Sequence, residues 1–217
     1  RERHRLRAGL VVAEVALAVV LLSGAGLTIT SFLRLQRVEP GFNPDQVMVF
    51  NLSLSSLKYP GAAERTAFYH QLTDRLAALP GVQTVAGVSQ LPLVGSTWRN
   101  SYMVESQDYN NPADVPVGNV RAVTPRYFRT MEIPLLIGRD FTEADRADAP
   151  PVVIIDATLA RDRFPNQDPL GKRLKLGGLG SQDTWKTIVG IAGEVKHDGL
   201  DKRIQPGFYL PQDQVAE

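Results

Sequence analysis

AGLVVAEVALAVVLLSGAGLTITSFL, residues 8–33, decides how the rest of the chain is read. It holds 26 residues and a single charge, Glu14. A helix rises about 1.5 Å per residue, so roughly 20 apolar residues cross a hydrocarbon core of about 30 Å. The stretch before it is short and basic; the residues after it have the pattern of an ordinary α+β domain. The expectation is a membrane anchor carrying one extramembrane domain.

Charge is placed unevenly about this stretch. The chain carries +1 overall, yet Arg1, Arg3, Arg5 and Arg7 against Glu2 give +3 for the first seven residues and leave −2 for the remainder. Lys and Arg beside one end of a span mark the cytoplasmic side. The N-terminus is therefore expected in the cytoplasm, and residues from about 34 onward outside it. A secretory signal peptide shares the basic start, and Ser23-Gly24-Ala25 resembles a cleavage site. Against that reading, apolar residues continue through Leu27, Ile29, Phe32 and Leu33, and Glu14 sits awkwardly in a signal. Length disfavours a buried helix of a soluble protein.

Glu14 is the candidate intramembrane polar residue, since an ionisable group in lipid is costly and faces protein or water by default. The competing reading places it a turn or two from the basic end, where it snorkels or pairs with Arg3, Arg7 or headgroups. Ala16, Ala18 and residues 23–26 are small enough to let a second helix approach. The helix is expected to run on through Val38 until Pro40-Gly41 stops it, forming a short stalk.

Beyond the stalk the apolar period changes. Met48, Phe50, Leu52 and Leu54 alternate with polar and smaller residues, which predicts a half-buried strand over 46–55. Phe68, Leu72, Leu76 and Leu79 form a helical stripe ended by Pro80-Gly81. Residues 82–88 read as a second strand, giving a βαβ unit with parallel strands. Further strands are expected at 102–105, 117–123 and 152–155, the last by its continuous β-branched run. A short helix should open with Thr124 as N-cap and Pro125 at its first position, and another spans 158–164. Residues 172–176 and 185–195 read as an antiparallel pair joined by the glycine-rich turn 177–181, and 208–210 as a last strand.

Catalytic and ligand motifs fare poorly. A nucleic-acid partner needs clustered Lys and Arg on the folded part, which the −2 balance denies. The absence of cysteine removes thiolate chemistry and disulfides. Residues 177–180 lack the Gly-Lys-Ser/Thr ending and following helix of a phosphate cradle. His4, His70 and His197 are scattered without metal spacing; His197-Asp198 reads as a solvated strand end. Ser89 and Ser96 lack a Gly-x-Ser-x-Gly setting, and Glu143, Asp145 and Asp148 lack Ca²⁺-loop spacing. The reading is of no enzyme, with no catalytic, cofactor or metal residues. No starting methionine is present, which suggests a segment of a longer protein.

Several ordered motifs carry a resemblance: VTPRYFRTMEIPLLIGRDFTEADRADAPPVVIIDATLARDRFPNQDPLGKRLKL over 123–176, then WKTIVGIAGEVKHDGL, then PGFYLP. They resemble the periplasmic core domain of MacB/FtsX-type ABC transporter permeases, and the likeness extends back through LPGVQTVAGVSQLPLVG and RVEPGFNPDQVMVFNLSL to the span. Within these it is most similar to the duplicated, ATPase-lacking permeases of Acidobacteria. Asp156-Ala157 departs from the Asn-Glu usual at that turn. The resemblance implies a cell inner membrane protein with residues 1–39 as basic segment, span and stalk, and 40–217 as an incomplete periplasmic core. That core would comprise a porter-like βαβ lobe at 40–95 and an inserted smaller α/β lobe at 96–196, cut short at the C-terminus. It implies a permease subunit transmitting cytoplasmic ATPase motion to a periplasmic domain for efflux or export. The partners would be a separate ABC-type ATPase, other spans or a second permease half, membrane lipid and a periplasmic adaptor. The alternative is an anchored scaffold that binds an adaptor or hydrolase.

Overall fold

The computed structural model describes residues 2–55, 57–95, 98–105 and 107–215. The chain divides into two units, Arg1–Glu39 and Pro40–Glu217.

The first unit is one helix, α1 (Glu2–Gln36). Its apolar residues face outward all round, from Leu10 and Val11 to Phe32 and Leu33. The helix has no amphipathic stripe to bury against a soluble core, which is the pattern of a helix solvated by lipid. Gly9–Gln36 is long and apolar enough to cross a membrane. Two of its hydroxyls are satisfied within the helix: Thr28 Oγ1 donates to the Gly24 carbonyl at 2.9 Å and Thr30 Oγ1 to Gly26 at 2.7 Å. That removes the cost of a bare donor in hydrocarbon. Beyond Gln36 the amides of Arg37 and Val38 donate three residues back, to Arg34 and Leu35, and the turn ends ahead of Pro40.

The second unit is a mixed sheet with short helices on it. Its strands are β1 (Arg99–Val104), β2 (Val117–Val123), β3 (Leu135–Gly138), β4 (Val152–Asp156), β5 (Arg173–Leu176), β6 (Lys186–Ala192) and β7 (Gly207–Pro211), ordered β3-β6-β4-β7-β2-β1-β5. Strand β5 pairs with β1 on one side and with the start of β6 on the other, so the sheet closes on itself. Pairs β2–β7 and β4–β6 are parallel, and the remaining pairs antiparallel.

Side-chain alternation splits the apolar residues into two cores. Val120, Val153, Ile155, Phe208 and Leu210 point to one, closed by Leu159 and Phe164 of and just after α4 (Ala157–Arg163). Val123, Ile154 and Tyr209 point to the other, covered by Tyr127 and Phe128 of α3 (Tyr127–Thr130). Strand β4 is buried at every position, as its unbroken VVIID predicts; each full burial of such a side chain stabilises by about 1.5–3 kcal/mol. The hairpin β5–β6 also forms as expected, with Ser181 Oγ donating to the Leu176 carbonyl at 2.6 Å to hold the glycine turn.

Three expectations are corrected. Residues 46–55 form no strand, and 82–88 contribute one isolated bridge, Val88 to Val123, so α2 (Ala62–Ala77) is not flanked by a paired βαβ. A strand is stabilised by its ladder, and none of the described strands lies beside 46–55; Met48 stays 91% exposed and Phe50 57%. The stripe on α2 is correspondingly shallow, with none of its residues buried. The third correction concerns the cap of α3. Arg126 occupies it in the left-handed region, φ 71°, while Thr124 Oγ1 accepts the Gly87 amide at 2.7 Å. That hydroxyl serves the 86–89 segment instead of the helix.

The entry of the chain into this unit is pinned. Gly41 has φ +85°, and a Cβ there would stand 1.9 Å from the Glu194 carbonyl oxygen. Pro40 accepts the Lys196 amide at 2.8 Å, the Asn43 amide donates to Met131 at 2.9 Å, and Phe42 packs on the second core.

Candidate functional site

The only large concentration of buried polar groups among the described residues lies on the second-core face of β2 and β7. Arg121 and Tyr209 are register partners in that parallel pair, so their side chains stand on one face. Arg121 is 2% exposed and its Nε and Nη2 have no hydrogen-bond partner among the described residues. Around it stand Tyr127, Tyr209, Asp198 and Asp156, each within electrostatic reach. Burial lowers the pKa of Arg121 and pushes the Tyr127 phenol up to about 12.

His197 and Asp198 come after β6 and fold back over this face. His197 is 5% exposed, and its Nε2 lies 3.3 Å from the Tyr209 hydroxyl. Burial, reinforced by the Arg121 charge, lowers its pKa to about 3 and keeps the ring neutral. Asp198 Oδ2 accepts from Arg99 Nη2 at 3.1 Å, and Arg99 Nε reaches Asn119 Oδ1 at 3.2 Å. The reading of His197-Asp198 as a solvated strand end is thereby corrected. Its flanking charges suggested exposure, but Val195 and His197 share one parity and both turn inward.

Asp156 sits where β4 turns into α4. Its Oδ1 accepts the Leu159 amide at 2.6 Å, and the carboxylate also accepts the Gly207 amide. Asp156 thereby caps α4. Burial raises its pKa to about 8, which the two amide donors oppose. Arg121 was legible as an oddity, a charge in the middle of the apolar strand VGNVRAV, but nothing in the sequence paired it with Tyr127 or His197.

The other candidates lie apart. Glu14 is exposed on α1, and no ion pair joins it to Arg3 or Arg7 among the described residues. In the acidic loop, both oxygens of Asp145 are engaged: Arg139 Nη1 and Nη2 donate at 2.7 and 2.8 Å, and the Thr142 amide at 2.8 Å. The Arg139 guanidinium holds the Asp145 carboxyl below its ordinary range. His70 Nε2 lies 2.8 Å from Asp213 Oδ2, with Glu143 3.9 Å from Nδ1. Ser89 Oγ accepts the Ala122 amide at 3.1 Å, a strand-edge role. Ser96 and Arg1 lie outside the described residues, as do the side chains of His4 and Arg5. A cleft of about 510 Å³ opens between α4 and the loop before β7, lined among others by Arg161, Glu194, Lys196 and Arg203. Arg161 and Glu194 pair across it at 2.9 Å. Nowhere among the described residues does a nucleophile meet a base and an open reacting position.

Comparison with known proteins decides the family: residues 9–217 match the one described as MacB-like periplasmic core domain. The chain belongs to that family. Solved structures are similar to it as well. The periplasmic region of MacB from Actinobacillus actinomycetemcomitans is 18% identical, with 67% of this chain and 56% of that chain covered and a TM-score of 0.46. A domain of a putative permease protein from Porphyromonas gingivalis is 21% identical, covering 62% and 52%, TM-score 0.42. The extracellular domain of the noncanonic ABC-type transporter YknZ from Gram-positive bacteria is 16% identical, covering 67% and 63%, TM-score 0.44. The chain therefore spans between half and two thirds of each of these structures. No curated protein matches it. The MacB/FtsX-type permease resemblance read from the motifs is met at the level of the family, a mixed α/β periplasmic domain of ABC transporter permeases preceded by one apolar helix.

Proposed function

We propose that the chain is the first span, stalk and part of the periplasmic domain of a permease subunit that passes cytoplasmic ATPase motion across the inner membrane. The observation carrying this reading is mechanical. Helix α1 runs unbroken from Glu2 to Gln36, and within the second unit backbone bonds at Pro40 and Asn43 and the close approach of Gly41 to Glu194 hold Pro40–Asn43 in place. A stiff rod followed by a clamped entry suits transmission of tilt better than a flexible tether does. The basic residues before the span support an N-terminus in the cytoplasm. ATP hydrolysis would come from a separate subunit, and Glu14 would pack near the cytoplasmic end of a bundle of further spans.

In this reading the core has two lobes, a porter-like lobe over 40–95 and an inserted lobe over 96–196, whose closed sheet also takes in β7 (Gly207–Pro211). Segment 46–55, outside any ladder, and segment 82–88, held by one bridge from Val88 to Val123, fit a lobe completed by strands from another segment. The test is Leu35→Gly with Gln36→Gly in the full permease, each Gly costing the helix about 1 kcal/mol. Export coupled to ATP hydrolysis should fall while ATPase activity persists; unchanged export would sink the transmission reading. The exposed apolar side chains Met48, Leu57 and Val94 favour a second reading, a scaffold that binds a periplasmic adaptor or hydrolase. Cross-linking from position 57 to a periplasmic protein, with coupling intact in the glycine variant, would favour it.

A further inference from the structure

The buried cluster at Arg121 has an unbalanced charge. Arg121, Tyr127 and His197 are exposed by 2%, 1% and 5%. Arg121 Nε and Nη2, Tyr127 Oη and His197 Nδ1 have no hydrogen-bond partner among the described residues, and all four can donate. The one orphan acceptor nearby is Asp198 Oδ1, and that carboxylate already pairs with Arg99 through its other oxygen. Arg99 and Asp198 cancel. No carboxylate lies within ion-pair distance of Arg121 among the described residues.

The remaining acid in reach, Asp156, spends its oxygens on the Leu159 and Gly207 amides, and burial holds it towards the neutral form. His197 is neutral as well. One positive charge is left without a counter-charge in the interior, where an uncompensated ion is costly. Water would satisfy hydrogen bonds and leave that charge standing. A small anion does both. The flanking side chains are closed to solvent, so a polyatomic acid carried on a larger molecule has no approach.

We propose that Arg121, Tyr127 and His197 bind a single buried halide ion, chloride under ordinary conditions, as the structural counter-ion of the β2–β7 face. The guanidinium supplies charge and two N–H donors, and the Tyr127 hydroxyl and His197 Nδ1–H complete its shell. Tyr209, bonded to His197 Nε2, fixes the imidazole so that Nδ1 turns to the ion. The ion would couple the strand pair to α3 and to the segment after β6, the three elements that contribute the ligands.

The test uses the full chain in detergent. Thermal unfolding is measured at constant ionic strength while sodium gluconate is exchanged for sodium chloride or bromide, and crystals grown in bromide are measured at the bromine absorption edge. The expected result is a saturable rise in Tm with halide and an anomalous peak within hydrogen-bond distance of Arg121 Nε. Tyr127→Phe, which keeps the ring packing, should raise the half-saturating halide concentration about tenfold or more through loss of one charge-assisted bond. Arg121→Met should abolish the halide response. Three results overturn the proposal: a Tm indifferent to halide, a map with Arg121 bonded to water or Asp198 alone, or a peak that survives in Arg121→Met, which marks an adventitious ion only. If Arg121→Met fails to fold, wild type and Tyr127→Phe still decide it.

Discussion

Asp156 Oδ1 accepts the backbone amide of Leu159 at 2.6 Å, so the last residue of β4 is also the cap of α4. The carboxylate is almost wholly removed from water and makes no ion pair among the described residues, so burial wins over its two amide donors.

This burial makes stability depend on pH. Unfolded, the Asp156 carboxyl binds its proton only below about 3.8; folded, it keeps it up to about 8. The folded state therefore holds more protons across that window, and stability falls as pH rises from about 4 to 8, by at most about 1.4 kcal/mol per pH unit. Asp156→Asn keeps an acceptor for Leu159 and cannot titrate. Urea unfolding between pH 6.5 and 9, above the His197 window, should show this slope in the wild type up to about pH 8 and its loss in Asp156→Asn.

His197 works in the opposite sense. Its folded pKa of about 3 lies below the ordinary 6.5, so the unfolded chain binds the extra proton between these values. Its contribution is complete above pH 6.5 and is lost as pH falls through that window. Between about pH 4 and 6.5 the two groups oppose each other and the profile should be flat. His197→Gln should uncover the Asp156 slope there, read by urea titrations over that window.

Asp145 ties its loop shut. It is 6% exposed, holds Arg139 in a two-pronged pair and accepts from the Thr142 amide and hydroxyl. Asp145→Ala removes four bonds and strands a partly buried guanidinium. The expected cost is about 2–3 kcal/mol, less than for a fully buried pair because Arg139 is half exposed. Denaturant midpoints at neutral pH check it, and Asp145→Asn should recover part of the loss.

How much of this could be read from the sequence depended on how local the cause was. Strand β4 was legible because five consecutive buried positions need no partner pattern to be recognised. The α4 cap and the β5–β6 hairpin were legible because donor, acceptor and turn lie within a few residues. Closure of the sheet through β5 was not, since nothing in RLKL states that it pairs with both β1 and β6. The strands expected over 46–55 and 82–88 had the right period, but period does not supply a ladder. Arg121 and His197 were hidden for a related reason: β2, the segment after β6 and β7 are far apart in sequence, and only the fold brings Arg121, His197 and Tyr209 to one face.

The central claim, a span at Gly9–Gln36 that puts the folded unit outside the cytoplasm, is open to one direct measurement. This chain has no cysteine, so Arg3→Cys and Asp148→Cys can each serve as its lone thiol. Intact spheroplasts are treated with a membrane-impermeant maleimide. Position 148 should be labelled at once and position 3 only after lysis; labelling of position 3 in intact cells, with 148 protected, would contradict the account.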